Sequence, residues 1–420
     1  MSDDIARRIS IVAAIVILLV LVWVHGFMSA TIRLWPADLF RQTTLLISSL
    51  WTHGEFVPLN RLKEAPEGAQ REQVAFLNED AAIGSGHYIL FAWDNELRSN
   101  AVWMYDAQGA LVHRWPVDEA VIYEGETTGS SRPHPMEPLP DGSILVGFDA
   151  LEAMARLDAC GKPVWTKRGV HHHSFERAED GGVWTWYGDH SAYSEYQYLV
   201  KFDPETGEEI KRIGLIEDVV THSPEQATLL SLSTDDAFRG DLANPRDLFH
   251  PNDIEELPSA IADAFEQFEA GDLVLSLKTL DLILVMDQKG KIKWSQQGPW
   301  RQQHDPDFRP DGTISIFDNN RARTQSDILV IDPVSREIKS LFANWDVPFS
   351  TAHRGKHQYL PNGNILLTVP DQGQVLEVTP DRRVAVEFNN LWPRDASLND
   401  DITNAKWVPD GFFERMPTCP

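Results

Sequence analysis

Apolar and polar positions alternate along most of the chain after residue 85, in short runs separated by turns. One phrase recurs, consisting of a histidine, a short polar link, a Pro/Asp/Asn-Gly turn and an alternating apolar run. It appears as HPMEPLPDGSILVGF (134–148), HSFERAEDGGVWTWY (173–187), HDPDFRPDGTISIFDNN (304–320) and HQYLPNGNILLTV (357–369). A degenerate copy, HPNDIEELP, begins at His250, and a copy without histidine, NAKWVPDGFF, lies at 404–413. Alternation with a period of two and Gly-containing turns predict antiparallel strands.

A second recurring phrase predicts the other strands of each unit. Runs such as AVWMYDAQGALVHRW and LILVMDQKGKIKWSQ have the form of hairpins, and six of them occur between Ala101 and Phe388. Consecutive repeats of four short strands each are typical of β-propellers. We therefore predict an all-β fold, a six-bladed β-propeller over residues 85–420. An insertion at about 221–270 is expected to be partly helical, and the last copy should pair with strands near 86–105.

The N-terminal region predicts a membrane anchor. Residues 9–28 read ISIVAAIVILLVLVWVHGFM, long enough to cross a bilayer as a helix. Arg7 and Arg8 precede them, which favours a cytoplasmic N-terminus at 1–8 and a propeller on the periplasmic side of an inner membrane. The alternatives are a cleaved signal peptide and, least favoured, a buried core helix. Residues 29–84 are expected to form a juxtamembrane helical segment and linker, with a helical pattern from 31 to about 65.

Composition excludes some classes of function. The 420 residues include 37 Lys+Arg and 63 Asp+Glu, a formal net charge of −26 that repels nucleic-acid backbones. At 42% hydrophobic and 24% charged residues, the chain is typical of folded proteins. Cys160 and Cys419 are too few for a disulfide framework or a four-cysteine metal site, but one disulfide between them stays open. The oligomeric state cannot be read from the sequence.

The repeat histidines are the main candidates for chemistry. Inner strands of a propeller line its axis, so we expect these histidines to gather at one mouth of the channel. They are His134, His173, His250, His304 and His357. Metal binding is one interpretation, with Asp253, Asp305 and Asp307 nearby, but it is disfavoured because no repeat contains a compact ligand pair. Transfer of an anionic group is favoured, because Asn319, Arg321 and Arg323 follow His304 closely.

The segments HPNDIEELP, QQHDPDFRPDGTISIFDNNRAR and HQYLPNGNILLT, in this order, resemble the bacterial arylsulfotransferases over about 85–413. The resemblance implies a periplasmic six-bladed propeller that moves a sulfuryl group from a phenolic sulfate ester to a hydroxyl acceptor. It implies a sulfohistidine intermediate and no nucleotide sulfate donor. We expect neither a cofactor nor a bound metal. His250, His304 and Arg321 match family site residues, Arg323 matches less well, and His357 is chosen as the nucleophile. Further candidates for substrate binding are His134, His173, Asn319, Arg323 and Trp300.

Two other functions stay open at this point. A membrane-tethered propeller without catalytic activity could act as a binding or assembly scaffold, because propellers serve many unrelated functions. A metal-dependent hydrolase or lyase is the third possibility.

Overall fold

Six antiparallel sheets follow one another along the chain in the computed structural model. They confirm the predicted all-β six-bladed propeller. The structure describes residues 61–123, 133–148, 153–188, 198–230, 249–320, 325–347, 349–395 and 397–419. Within these ranges no helix has the length and apolar character needed to span a membrane. The predicted anchor at 9–28 and most of the predicted helix from 31 to about 65 lie outside the described residues.

The strands are short and are numbered here in chain order. They are β1 (Lys63–Glu64), β2 (Val74–Phe76), β3 (His87–Asp94), β4 (Ser99–Asp106), β5 (Leu111–Val117), β6 (Pro133–Pro138), β7 (Ile144–Phe148), β8 (Ala153–Leu157), β9 (Pro163–Arg168), β10 (Val170–Arg177), β11 (Val183–Gly188), β12 (Tyr198–Phe202), β13 (Glu209–Gly214), β14 (Pro251–Glu256), β15 (Leu273–Leu277), β16 (Leu282–Met286), β17 (Ile292–Gln297), β18 (His304–Phe308), β19 (Ile314–Asp318), β20 (Asp327–Ile331), β21 (Ile338–Ser340), β22 (Lys356–Tyr359), β23 (Ile365–Val369), β24 (Gln374–Val378), β25 (Val384–Asn389), β26 (Leu398–Asn399) and β27 (Ile402–Val408).

Each blade orders its strands from the axis outwards. Blade 1 is β27-β3-β4-β5, blade 2 is β6 to β9, blade 3 is β10 to β13, blade 4 is β14 to β17, blade 5 is β18 to β21, and blade 6 is β22 to β25. β2 adds a fifth strand to the outer edge of blade 6, and β1 pairs with β26 in a separate two-stranded sheet. Strands therefore occupy two parts of the 29–84 segment for which the sequence predicted helix and linker.

Within the described ranges the helices are few and short. They are α1 (Glu119–Ile122), α2 (Glu217–His222) and α3 (Ser259–Ala262), with 3₁₀ turns at Glu79–Ala81, Pro224–Leu230, Lys278–Leu280 and Pro370–Gln372. The predicted insertion at 221–270 contains the end of α2, one 3₁₀ turn and α3, but it also contains β14, the inner strand of blade 4. Its residues 231–248 lie outside the described ranges.

The ends of the chain close the ring of blades. β27 pairs with β3 from Ile402 opposite Ala92 to Val408 opposite His87, as expected from the last sequence repeat. A disulfide joins Cys160, in the turn between β8 and β9, to Cys419, with the two Cα atoms 4.9 Å apart. The C-terminal segment is thus held both by a strand ladder in blade 1 and by a covalent bond to blade 2.

The hydrophobic core lies between the blades. Each sheet packs both faces against its neighbours, so strands such as β16, LILVM, are buried at every position. One apolar cluster joins blades 1 and 2 through Trp115 and Phe148, and another joins blades 4 and 5 through Trp294 and Ile316. Since apolar side chains supply the packing between blades, polar side chains on the inner strands are available to line the axis.

Candidate active site

A β-bulge recurs in the inner strands of blades 1 to 5. The ladder shifts register between Pro133 and Met136, His172 and Glu176, Pro251 and Asp253, His304 and Pro306, and Ile402 and Asn404. Bulges bend a strand and re-aim its side chains, and they are frequent beside active sites. In blades 2 to 5 the repeat histidine lies in the bulge or directly before it. His173 and His250 have φ values of 58° and 41°, a left-handed backbone that turns them out of regular pleating.

Four of the five predicted histidines come together at the axis. The four-histidine cluster consists of His134, His173, His250 and His304. His173 Nδ1 lies 3.5 Å from His134 Nε2, and His173 Nε2 lies 3.2 Å from His250 Nε2. The ring centroids of His173 and His304 are 5.8 Å apart. Lys278 Nζ lies 3.1 Å from His250 Nε2, so a positive charge stands beside the imidazoles.

The tautomer of His304 follows from its neighbours. Asn319 Nδ2 donates to the carbonyl oxygens of Thr351 and Arg354 at 2.9 and 2.7 Å, which fixes the orientation of the amide. Asn319 Oδ1 then faces His304 Nδ1 at 2.6 Å and can only accept. Nδ1 therefore carries the proton and Nε2 keeps its lone pair. Burial, with added repulsion from Lys278, holds the pKa of His304 well below its usual value, so the ring is neutral at physiological pH.

His357 does not join the cluster. It lies six residues before the Gly of its turn, not eight, and the position eight before that glycine is Gly355. Gly355 has a φ of 102°, and a Cβ there would lie 2.6 Å from the ring of Phe317, so blade 6 has no room for a side chain. β22 shows no register shift against β23. His357 contacts Asp305 and Ser315, each at 2.8 Å from a ring nitrogen.

The remaining predicted residues divide into three groups. Asn319 is buried and uses its amide to position His304 and a neighbouring loop. Trp300 does not offer a surface to a substrate ring, because it is fully buried in the core between blades 4 and 5 and its Nε1 donates to the Asp281 carbonyl. Arg321 and Arg323 lie outside the described residues.

Comparison with known proteins decides the family. A sequence model of the arylsulfotransferase (ASST) family matches residues 135–391, more than half of the 420 residues. The chain belongs to the arylsulfotransferase family. The matched residues contain three of the four cluster histidines, His173, His250 and His304, and His134 lies one residue before the match.

No curated protein matches this arylsulfotransferase family member. Among solved structures, a protein of unknown function from Bacteroides caccae is 11% identical, with 77% of this chain and 99% of that chain covered and a TM-score of 0.50. A streptogramin B lyase is 11% identical, with 80% of this chain and 97% of that chain covered and a TM-score of 0.43. At such identities, likeness to a structure concerns the fold alone.

A second polar region of this arylsulfotransferase family member lies along the same axis. A cavity of about 320 Å³, here called the axial cavity, is lined by ionisable side chains from all six inner strands. They include Glu137, Glu176, Glu255, Asp305, Asp307, Lys356, His357 and Lys406. Lys406 pairs with Glu137 at 2.5 Å, and Lys356 bridges Asp253 at 3.0 Å and Asp305 at 2.7 Å.

Burial perturbs the carboxyl groups around the axial cavity. It raises the pKa of Glu176 to about 7 and the pKa of Asp253 to about 6, and it holds the pKa values of Glu255 and Asp307 well above their usual range. Burial also acts to raise the pKa of Asp305, but Lys356 and His357 outweigh it and lower that pKa. The cavity therefore contains more carboxyl groups than its lysines neutralise.

Sequence reasoning missed the three lysines of the two polar regions. Lys356 and Lys406 are charged residues inside inner strands, KHQY and ITNAKWV, where an apolar alternation was expected, and this break in the pattern was a usable signal. Lys278 follows the apolar strand LVLSL directly, and nothing in the repeat distinguishes it.

Proposed function

We propose that this family member moves a sulfuryl group from an aryl sulfate ester to a phenolic or other hydroxyl acceptor, through a sulfohistidine in the four-histidine cluster. The observation that carries the proposal is the gathering of four imidazoles from four blades beside Lys278, in a chain of the arylsulfotransferase family. Packing alone would favour apolar residues at these positions.

His304 is the proposed nucleophile. Its Nε2 carries a lone pair on a neutral ring, and Asn319 holds the ring in place. In the first step Nε2 forms a bond to sulfur while the bond from sulfur to the aryl oxygen breaks, and the phenol leaves with the bonding electrons. In the second step the acceptor oxygen attacks sulfur and the N–S bond breaks. His357, chosen from the sequence, is less suited because it lies outside the four-histidine cluster, with its ring nitrogens facing Asp305 and Ser315.

The other groups of the cluster are proposed to hold charge and move protons. By analogy with phosphoryl transfer, the transferred group spreads negative charge over its oxygens. Lys278 and the imidazoles of His134 and His173 would stabilise it, and one oriented donor is worth roughly 2.7–4 kcal/mol in transition-state stabilisation. His250 Nε2 accepts from Lys278 Nζ at 3.1 Å, so His250 would give its Nδ1 proton to the leaving phenolate, whose pKa is near 10, while Lys278 supplies a proton to Nε2. The same relay run backwards would deprotonate the acceptor. Arg321 stays in the proposal as a further cation.

The location proposed for the enzyme is the periplasmic side of an inner membrane, with the segment at 9–28 as a single-pass anchor. The disulfide between Cys160 and Cys419 supports an oxidising compartment, because such bonds are rare in the cytosol.

The test is a direct search for the covalent intermediate. The chain is incubated with 4-nitrophenyl sulfate and digested without acid, because the N–S bond of a sulfohistidine is acid-labile. The modified peptide is then identified by mass spectrometry. We expect an adduct of about 80 Da, one SO₃ group, on the peptide containing His304, and its disappearance in His304→Asn together with turnover onto phenol. A matched variant of the exposed His222, His222→Asn, should keep both.

Each other outcome has a clear meaning. An adduct on His357 would return the nucleophile to the residue chosen from the sequence and would overturn the role of His304. Absence of turnover with every aryl sulfate tried would favour the non-catalytic scaffold.

A further inference from the structure

We propose that the axial cavity holds one divalent transition-metal ion, bound by His357 Nε2 and Asp307. This site lies beside the four-histidine cluster, uses none of its imidazoles, and does not depend on the proposed sulfuryl transfer. Asp305, Asp307 and His357 offer ligand atoms that all lie within 4.8 Å of one another.

The charges around the cavity leave room for a cation. Five carboxyl groups line it and Asp253 lies beside it. Of these six, the ion pairs with Lys406 and Lys356 involve Glu137, Asp253 and Asp305. The other three are Glu176, Glu255 and Asp307, and within the described ranges none of them forms an ion pair with a lysine or arginine. A buried carboxylate needs a proton or a cation to offset its loss of hydration. One divalent ion next to Asp307 would offset more than one of these charges.

The orientation of His357 suits metal binding. Asp305 Oδ2 accepts from His357 Nδ1 at 2.8 Å, so Nδ1 carries the proton and Nε2 the lone pair. A histidine that binds a metal through one ring nitrogen usually donates the N–H of its other ring nitrogen to a carboxylate, which orients the ring. In this assignment Asp305 is therefore the positioning residue and not a ligand. The ring of His357 is fully buried, which fixes the direction of the lone pair.

Nε2 faces a second ligand at a suitable distance. It lies 3.5 Å from Asp307 Oδ2, too far for a good hydrogen bond. Metal–nitrogen and metal–oxygen distances of about 2.0–2.2 Å place two ligands of a tetrahedral ion about 3.4 Å apart. Ser315 Oγ lies 2.8 Å from Nε2 and donates to it, and the hydroxyl can rotate to present a lone pair to an ion instead. The residues thus supply one nitrogen and two oxygen donors.

Lys356 does not occupy this position. Its ammonium group contacts Asp253 and the Oδ1 atom of Asp305, whereas His357 contacts the Oδ2 atom of the same carboxylate. The mixture of imidazole and oxygen donors favours zinc, cobalt or manganese over calcium or magnesium. Such an ion would join blade 5, which supplies Asp307 and Ser315, to blade 6, which supplies His357.

The experiment measures binding and not activity. The full chain is stripped with a chelator, supplied with zinc or cobalt chloride, desalted, and analysed for metal content and for the visible absorption of cobalt. We expect about one ion per chain, cobalt absorption typical of a low-coordinate N/O site, and a higher Tm in the presence of zinc. Asp307→Asn and His357→Gln should each abolish stoichiometric binding while Asp311→Asn, in an exposed turn of the same blade, should retain it.

Circular dichroism identifies any variant that fails to fold, and the other variant then decides. The proposal is overturned if the wild-type chain retains no stoichiometric ion, or if a folded Asp307→Asn or His357→Gln variant binds zinc as the wild type does. Loss of sulfuryl transfer would not affect this result, because the four-histidine cluster contributes no ligand. Conversely, zinc binding without any transfer activity would leave the metal site standing and remove the proposed enzymatic function.

Discussion

Replacing Asn319 with leucine should separate the proposed nucleophile from its orienting partner. Asn319 makes three close contacts, accepting from His304 Nδ1 at 2.6 Å and donating to the carbonyl oxygens of Thr351 and Arg354 at 2.9 and 2.7 Å. Leucine has a similar volume but none of these groups. The imidazole would lose the closer of its two Nδ1 acceptors and keep only the Gln302 carbonyl oxygen at 3.2 Å, and two carbonyl groups would lose a donor.

The magnitude follows from these contacts. A buried polar group left without its partner costs about 1–3 kcal/mol, and a typical net hydrogen bond contributes about 0.5–1.5 kcal/mol. Part of this cost appears as reduced stability, which we expect to fall by about 2–4 kcal/mol. The part that concerns His304 appears in catalysis. A loss of about 1.4–2.8 kcal/mol in orientation corresponds to a rate of sulfohistidine formation about 10- to 100-fold lower.

The assay is a single-turnover burst of 4-nitrophenolate, measured below the unfolding temperature of the variant. The rate of the burst should fall while the KM for the aryl sulfate changes little, because Asn319 positions the nucleophile and does not hold the substrate. Asn364→Leu is the matched control. Asn364 is buried and donates to Ala81 O and Glu377, so its loss should lower stability similarly without slowing the burst.

A burst rate in folded Asn319→Leu equal to that of the wild type would refute the positioning role of Asn319. An equal slowing of the burst in Asn364→Leu would also refute it, because the effect would then follow from general destabilisation. Addition of imidazole provides a further check: exogenous imidazole should accept the sulfuryl group in His304→Gly but should not accelerate Asn319→Leu, which still contains the nucleophile.

Three further predictions concern stability. Cys419→Ser should lower the free energy of unfolding by about 2–4 kcal/mol, measured by urea denaturation, and should abolish the sensitivity of that value to a reductant. Gly355→Ala should cost about 1–3 kcal/mol, because its Cβ would lie 2.6 Å from Phe317, whereas Gly363→Ala, whose Cβ would meet its nearest neighbour at 3.5 Å, should cost less; equal losses would contradict the steric argument. Because the pKa of Glu176 is raised from 4.5 to about 7, the unfolded chain loses this proton at lower pH than the folded chain, so stability should fall as pH rises from about 4.5 to 7. Glu176→Gln, measured with chelator present, should reduce this fall by about 1–3 kcal/mol, and an unchanged pH slope would contradict the assignment.

The repeat pattern was sufficient to predict the fold. Alternating strands, Gly-containing turns and the return of one phrase predicted six blades and the pairing of the last repeat with the first strands. These features depend on local sequence and on burial between blades, which hydrophobic periodicity reports well. The strand at Val74–Phe76 was not predicted, because an edge strand of three residues carries too few positions to show a period.

The candidate site was predicted less completely, for a geometric reason. The sequence shows that a histidine recurs, but not the bulge that turns it towards the axis, since a bulge is a property of two paired strands. The spacing of six residues between His357 and Gly363 did distinguish His357 from the others, and its consequence depended on Gly355 and its contact with Phe317. The burial of Trp300 could not be foreseen, because it lies in a loop that folds back between two blades.

The bulge in β18 gives the two polar regions a common origin. His304 and Asp305 are consecutive, and the register shift lies between His304 and Pro306, so the two side chains do not follow the regular alternation of a strand. Asp305 adopts a φ of 51°, which directs its carboxylate to His357 and Lys356 while His304 reaches the cluster. A change at Asp305 should therefore disturb both regions, whereas a change at Asp307 should disturb only the axial cavity. The effect of Asp307→Asn on the transfer rate, compared with that of Asp305→Asn, measures how strongly the two regions are coupled through this single bulge.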